Sequence, residues 1–209
     1  MQLFLVRHGA VSASQKGKFY GGTEVALSQE GMAQAQAAGR WLSQFEIDAV
    51  YASPLSRAQY GAQQVLDFSR QPELAIQTRE GFREIDRGRW VGLRFEELES
   101  QWPGDMAAHE ADLEKWNGHG GESLGTLRER VLKERNKLLE KHLGQVVVIV
   151  SHLFPTAAML ADGLGIHLSG YREMQVPTGS ISRIIFGEKG VGSVEEIGFQ
   201  PPRASSTPS

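Results

Sequence analysis

Apolar and polar positions divide this 209-residue chain into short uninterrupted runs and longer stretches of helical period. Residues 2–6 (QLFLV) and 145–150 (QVVVIV) each hold a continuous apolar run, the pattern of a strand buried on both faces of a parallel sheet. Residues 47–53 (IDAVYAS) predict a third strand and 74–77 (LAIQ) a weaker fourth. Between the first and third, residues 28–45 are rich in helix formers, with Ser28 placed as N-cap. Residues 54–69 predict a second helix with Pro54 in its first turn. Leucine and valine at helical spacing predict a third over 122–144, stopped by Gly144. Residues 154–164 predict a further helix, with Pro155 in its first turn, and 180–186 with 193–199 predict an edge hairpin.

Strands alternating with helices imply a three-layer α/β/α sandwich around a mainly parallel sheet. Residues 85–120 break that rhythm, setting Trp90, Trp102 and Trp116 among polar residues and glycines. They are expected to be an insertion covering the active-site end of the sheet. With no internal repeat and no clear linker, residues 1–200 are expected to form one domain, and 201–209 (PPRASSTPS) a disordered tail.

Composition narrows the function classes. A net charge of -3 offers no basic field for nucleic acid or an anionic membrane surface, so neither is expected as a partner. No apolar run approaches the roughly 20 residues needed to span a bilayer, and no leader segment is expected at the N-terminus. The absence of cysteine excludes thiol catalysis, disulfides and cysteine-bound metals and fits a reducing compartment. A soluble cytoplasmic domain is the default expectation, and a homodimer is a common outcome for such chains.

The chemistry gathers where predicted strands end. In an open α/β sheet, ligands bind beyond the carboxyl ends of the strands. The first strand runs into Arg7-His8-Gly9, the third leads through SPLSRA to Arg57, and VVVIV ends in Ser151-His152. If these strands are parallel neighbours, two guanidinium groups and two imidazoles meet in one pocket suited to a compact, multiply charged anion such as phosphate. A neutral imidazole can attack phosphorus, and the departing alkoxide then needs an acid. Residues 81–92 offer two carboxyls, Glu84 and Asp86. Glu24 and Glu122 are expected at the surface or in caps, and His109, His119, His142 and His167, lacking metal-ligand spacing, in surface loops. The charged run 128–141 reads as the solvent face of an amphipathic helix.

Five motifs in order, LVRHG (5–9), SPLSRA (53–58), E-x3-G-x-W-x-G (84–92), GGES (120–123) and VSH (150–152), resemble the histidine phosphatase superfamily, the phosphoglycerate-mutase-like fold. The likeness implies that His8 is the phosphorylated nucleophile, that Arg7, Arg57 and His152 bind the phosphoryl group, and that Glu84 is the proton donor. It implies a small-molecule phosphate ester as substrate and neither metal nor organic cofactor. Gly9 is expected to let the backbone come close to the phosphate.

The chain departs from the family pattern at Ala10, Val11 and Ser14, at Tyr60-Gly61, and at Leu153-Phe154, where the family typically has Gly-Gly. Ser14 stands where the family places a phosphate-contacting Asn and is expected either to act as a shorter substitute or to make no contact. Val11, Leu153 and Phe154 are expected to make the pocket more apolar than usual, which tilts the substrate towards one with an aromatic portion, such as α-ribazole phosphate. Phe19, Tyr20 and Trp90 are expected near its mouth. No mutase-type segment follows Glu84, so transfer to water is favoured. A phosphoglycerate-mutase-like phosphotransferase and a catalytically weakened binding module are the alternatives.

Overall fold

The computed structural model describes residues 1–172, 174, 176–187 and 190–203. Six strands, β1 (Gln2–Arg7), β2 (Ala49–Ala52), β3 (Ile76–Thr78), β4 (Val146–Ser151), β5 (Ile181–Phe186) and β6 (Gly192–Phe199), form one sheet in the order β3-β2-β4-β1-β5-β6. The first four are parallel, and β5 and β6 add an antiparallel hairpin alongside β1. Alternation along the strands builds two cores. Phe4, Val6, Val50, Val148 and Val150 face helices α1 (Gln29–Leu42) and α2 (Ser56–Phe68). Leu3, Leu5, Tyr51, Val147 and Ile149 face α5 (Leu124–Lys141) and α6 (Leu153–Leu164). Apolar residues on both faces of each central strand are why β1 and β4 read as continuous runs rather than alternating ones. The architecture is the expected three-layer sandwich.

Arg7 pairs with Ser151 and Ala52 with Val150, so β1, β4 and β2 finish level with one another. Ser28 caps α1, accepting from Gly31 N–H at 3.0 Å. Gly9 is also required by packing: a Cβ there would lie 2.0 Å from the Gly31 carbonyl oxygen, and a Cβ on Gly31 would lie 2.0 Å from that of Ala10. The end of the first motif is thus packed backbone to backbone on the first turn of α1. Ser28 N–H donates to the Ala10 carbonyl at 2.9 Å, and Ala10 N–H to the buried Gln34 side chain at 2.8 Å.

Pro54 lies two residues ahead of α2, whose cap is Leu55. The Glu24 carboxylate closes that end from elsewhere in the chain, accepting from Ser56 N–H at 3.2 Å and Ser56 Oγ at 2.6 Å. Residues 85–120 contain α3 (Phe95–Gln101) and α4 (Asp105–Ala111) around a buried aromatic cluster. Trp90 stacks on Trp116 at 5.2 Å and meets the edges of His109 (5.2 Å) and His119 (4.7 Å), while its indole N–H donates to Asp105 at 3.1 Å. His109 and His119 were expected in surface loops and are buried here, because residues 85–120 have a small core of their own. His142 is buried too, bonded to the Tyr51 hydroxyl at 2.8 Å, whereas His167 is exposed. Of the tail expected to be disordered, Pro201 is buried and Arg203 pairs with Glu30 at 3.2 Å, and 204–209 lie outside the described residues. No helix among the described residues is long and apolar enough to cross a membrane.

Candidate active site

Three adjacent parallel strands deliver His8, Ser53 and His152 to one edge of the sheet. The two imidazole centroids are 5.0 Å apart. His8 Nδ1 lies 2.7 Å from the Gly9 carbonyl oxygen, which can only accept, so the hydrogen-bond network assigns the proton to Nδ1 and leaves the lone pair on Nε2. His152 Nε2 lies 2.7 Å from Ser53 Oγ. Ser53 is fully buried, and among the described residues Nε2 is the one acceptor facing its hydroxyl proton, so the network assigns that proton to the bond and the His152 N–H to Nδ1. Nδ1 is buried with no protein partner.

Both rings are neutral for the same reasons. Burial, followed by the charges of Arg57 and Arg7, pushes His8 down to about 3. Burial first, then His8, Arg57 and Arg7, hold His152 well below the usual histidine range.

The arginines are aimed by main-chain carbonyls. Arg7 donates to Val176 O at 2.5 Å, with Tyr20 close by. Arg57, the second residue of α2, donates to Thr23 O (2.6 Å) and Gly21 O (2.8 Å) and lies over the Tyr20 ring at 5.4 Å. Tethering fixes each fork while leaving its Nε–H buried without a protein partner. Two guanidinium N–H groups and one imidazole N–H therefore await an acceptor around His8, an unusual concentration in a folded interior. Unpaired donors of this kind suit a multiply charged oxyanion such as a phosphoryl group.

Glu84 sits across from these cations, 7% exposed, in the turn after a 3-10 segment at 80–82. Ile85 N–H donates to its Oε1 at 2.9 Å, and the first free N–H groups of α6 donate as well, Leu153 to Oε2 at 3.1 Å and Phe154 to Oε1 at 3.3 Å. Burial raises the Glu84 carboxyl above its ordinary range, against the Ile85 N–H and the charges of Arg7, Arg87 and Arg57. Asp86, the other candidate acid, is exposed and bonds Gly88 N–H. Of the two carboxyls, Glu84 is the one buried beside the arginines.

Other expected residues lie elsewhere. Ser14 is exposed and bonded to Ser12 Oγ at 3.0 Å. Ser12 and Lys16, together with Val11 and Tyr20, line a cleft of about 640 Å³ beside the histidine loop, a wall that Ser14 does not join. The Leu153 and Phe154 side chains do not make the site apolar: they belong to the α5/α6 core, and only their N–H groups reach Glu84. The Phe154 ring packs on Tyr171 at 4.8 Å and lies 4.7 Å beneath the Arg87 guanidinium, which also neighbours Phe19 and Trp90 at 6.0 Å. Sequence reasoning missed Ser53, Arg87 and Arg130. Ser53 was within reach, because it ends a predicted strand just as Ser151 and His152 do. No group of three or more acidic or histidine side chains spaced to hold a metal exists among the described residues.

An α/β/α sandwich that brings two neutral histidines and two tethered arginines to one sheet edge is the framework of a phosphate-handling protein. The chain belongs to the histidine phosphatase superfamily (branch 1), whose family model it matches over residues 3–197. It is 31% identical over 189 residues to phosphoserine phosphatase 1 of Hydrogenobacter thermophilus, covering 90% of this chain and 88% of that one. It is 32% identical over 174 residues to a 2,3-bisphosphoglycerate-dependent phosphoglycerate mutase of Brucella ovis, covering 78% and 82%. The fold is also that of the alpha-ribazole phosphatase from Shigella flexneri, with a TM-score of 0.86 at 24% identity over 99% of this chain and 100% of that chain.

Proposed function

We propose that this chain is a phosphomonoesterase that hydrolyses small phosphorylated metabolites through a phosphohistidine on His8. The observation that carries the reading is the assigned lone pair on His8 Nε2 beside the charges of Arg57 and Arg7 and the ring of His152, groups whose buried Nε and Nδ1 have no protein partner. In the first step Nε2 attacks phosphorus and the P–O ester bond breaks. The departing oxygen takes the proton of Glu84, and the arginines and His152 Nδ1–H neutralise the equatorial oxygens. In the second step the Glu84 carboxylate takes a proton from water, whose oxygen attacks phosphorus. The P–N bond breaks, inorganic phosphate leaves, and neutral His8 and protonated Glu84 are restored. The chemistry asks for no metal.

Among substrates, the phosphoserine-type leaving group is favoured over an aromatic one. The relative named as a phosphoserine phosphatase shares 31% identity, and the Phe154 side chain belongs to the α5/α6 core. Residues 1–200 are read as one domain, since β6 near its end joins the same sheet as β1. A cytoplasmic location rests on the absence of cysteine. The test is phosphate release without added metal from phosphoserine, 3-phosphoglycerate and α-ribazole phosphate, with acid-labile phosphate on the protein trapped by quenching. Turnover and trapped phosphate in the native protein, and neither in His8→Ala, are expected. Phosphate that moves within 3-phosphoglycerate only after a bisphosphorylated primer is added would favour a mutase, the name carried by the Brucella relative.

A further inference from the structure

We propose that Arg130, gripped by Glu122, is the positioning residue that holds Glu84 in place for proton transfer. The inference rests on the acid role of Glu84 given above. Residues 81–86 form no strand or α-helix, yet no carbonyl oxygen in the segment is left without a donor. Arg130 takes three: NH1 donates to Gly81 O (3.0 Å) and Arg83 O (2.8 Å), and NH2 to Glu84 O (3.3 Å). Ser151 Oγ takes Phe82 O at 2.7 Å, Gly22 N–H takes Ile85 O at 2.8 Å, and Glu122 N–H takes Asp86 O at 3.0 Å.

The remaining Arg130 donors go to Glu122 in a bidentate pair, Nε to Oε1 at 2.6 Å and NH2 to Oε2 at 2.7 Å. All five guanidinium N–H groups are therefore used, a pattern that the three-donor ammonium of lysine cannot reproduce. Glu122 also accepts from Asp86 N–H at 3.2 Å, so one ion pair grips the chain before, at and after Glu84. The segment lies hard against α5: a Cβ on Gly81 would come 2.7 Å from Glu134 Cβ. The rigid second turn of α5 thus carries the reference point from which the carboxyl is aimed. An acid displaced by about 1 Å forfeits much of its effect, on the order of 100-fold.

The experiment compares kcat/KM for a series of phenyl phosphates, from phenyl to 2,4-dinitrophenyl, in the native protein, Arg130→Lys, Glu122→Gln and Glu84→Gln. This ratio reports the phosphorylation step, where the acid matters for poor leaving groups and hardly for good ones. Arg130→Lys is expected to lose about 10- to 100-fold on phenyl phosphate and less than about threefold on the dinitrophenyl ester, a partial copy of Glu84→Gln. Glu122→Gln is expected to shift the same way by less, and it serves if Arg130→Lys does not fold. Equal losses on all esters, or none, in the folded clamp variants while Glu84→Gln shows the split would overturn the positioning role. Equal losses in Glu84→Gln itself would overturn the acid role beneath it, and the two failures are thereby distinguishable.

Discussion

Protonating His8 should cost this fold stability in a defined pH window. Its pKa is held at about 3, chiefly by burial and then by Arg57 and Arg7, whereas in the unfolded chain it titrates near 6.5. Above 6.5 neither state binds the proton. As pH falls below 6.5 the unfolded state takes it up and the folded state does not, so the equilibrium moves towards unfolding until about pH 3, where the folded state titrates as well. The slope is about 1.4 kcal/mol per pH unit, so two units below 6.5 the loss attributable to His8 is about 2–3 kcal/mol. Urea unfolding of the native protein and of His8→Gln at about pH 7 and about pH 4.5 isolates this contribution, because the other titrating groups, His152 included, remain in both. The native protein should lose about 2–3 kcal/mol more than the variant between the two conditions. Parallel losses, agreeing to within about 0.5 kcal/mol, would show that the imidazole is not held neutral by its surroundings, and the assignment of a free lone pair on Nε2 would go with them.

Arg57→Lys should lower kcat/KM by about 100- to 1000-fold, since an ammonium cannot bridge Gly21 O and Thr23 O and still present a donor to phosphate. A loss below tenfold would remove Arg57 from the phosphate site. Ser53→Ala should release the tautomer of His152, visible as a shift of imidazole ¹⁵N resonances from the Nδ1–H pattern, and destabilise the fold by about 1–2 kcal/mol. An unchanged tautomer would mean that the serine does not set it. Trp90→Ala should cost about 3–5 kcal/mol by emptying the core of the insertion. The same change should move the His119 titration up from about 4 towards the ordinary value as solvent enters, and an NMR titration that stays put would refute that packing.

The sheet was legible because strands buried on two faces leave uninterrupted runs such as VVVIV, and Ser28 marked the start of α1 unmistakably. His8, Arg57 and His152 could be placed near one another from topology alone, since each follows the end of a strand. What could not be read depends on contacts between distant segments. Nothing local distinguishes Arg130 from Arg128 on the charged face of α5; only the fold brings the 81–84 carbonyls to it. His109 and His119 carry no period, because a small aromatic core closed by turns has none. Phe154 was expected in the pocket because its neighbour is His152, but the first turn of α6 rotates its ring into the core. Nor could the packing of Gly9 on another glycine 22 positions along the chain be read locally.

That glycine contact changes how mutational data on this protein should be interpreted. Gly31 bears no functional group, yet any side chain there must displace the peptide at Ala10, two residues from His8. In a saturation screen scored by phosphatase activity, position 31 would be as intolerant as the histidines themselves. A reader of such a map would be inclined to draw it inside the catalytic centre. Its intolerance would have a different origin: the loop bearing the nucleophile and the start of α1 are mutually excluding surfaces with no slack between them. Laboratory evolution of new substrates should accordingly find its freedom in the cleft walls at Val11, Ser12 and Lys16, and almost none in the two glycines behind them.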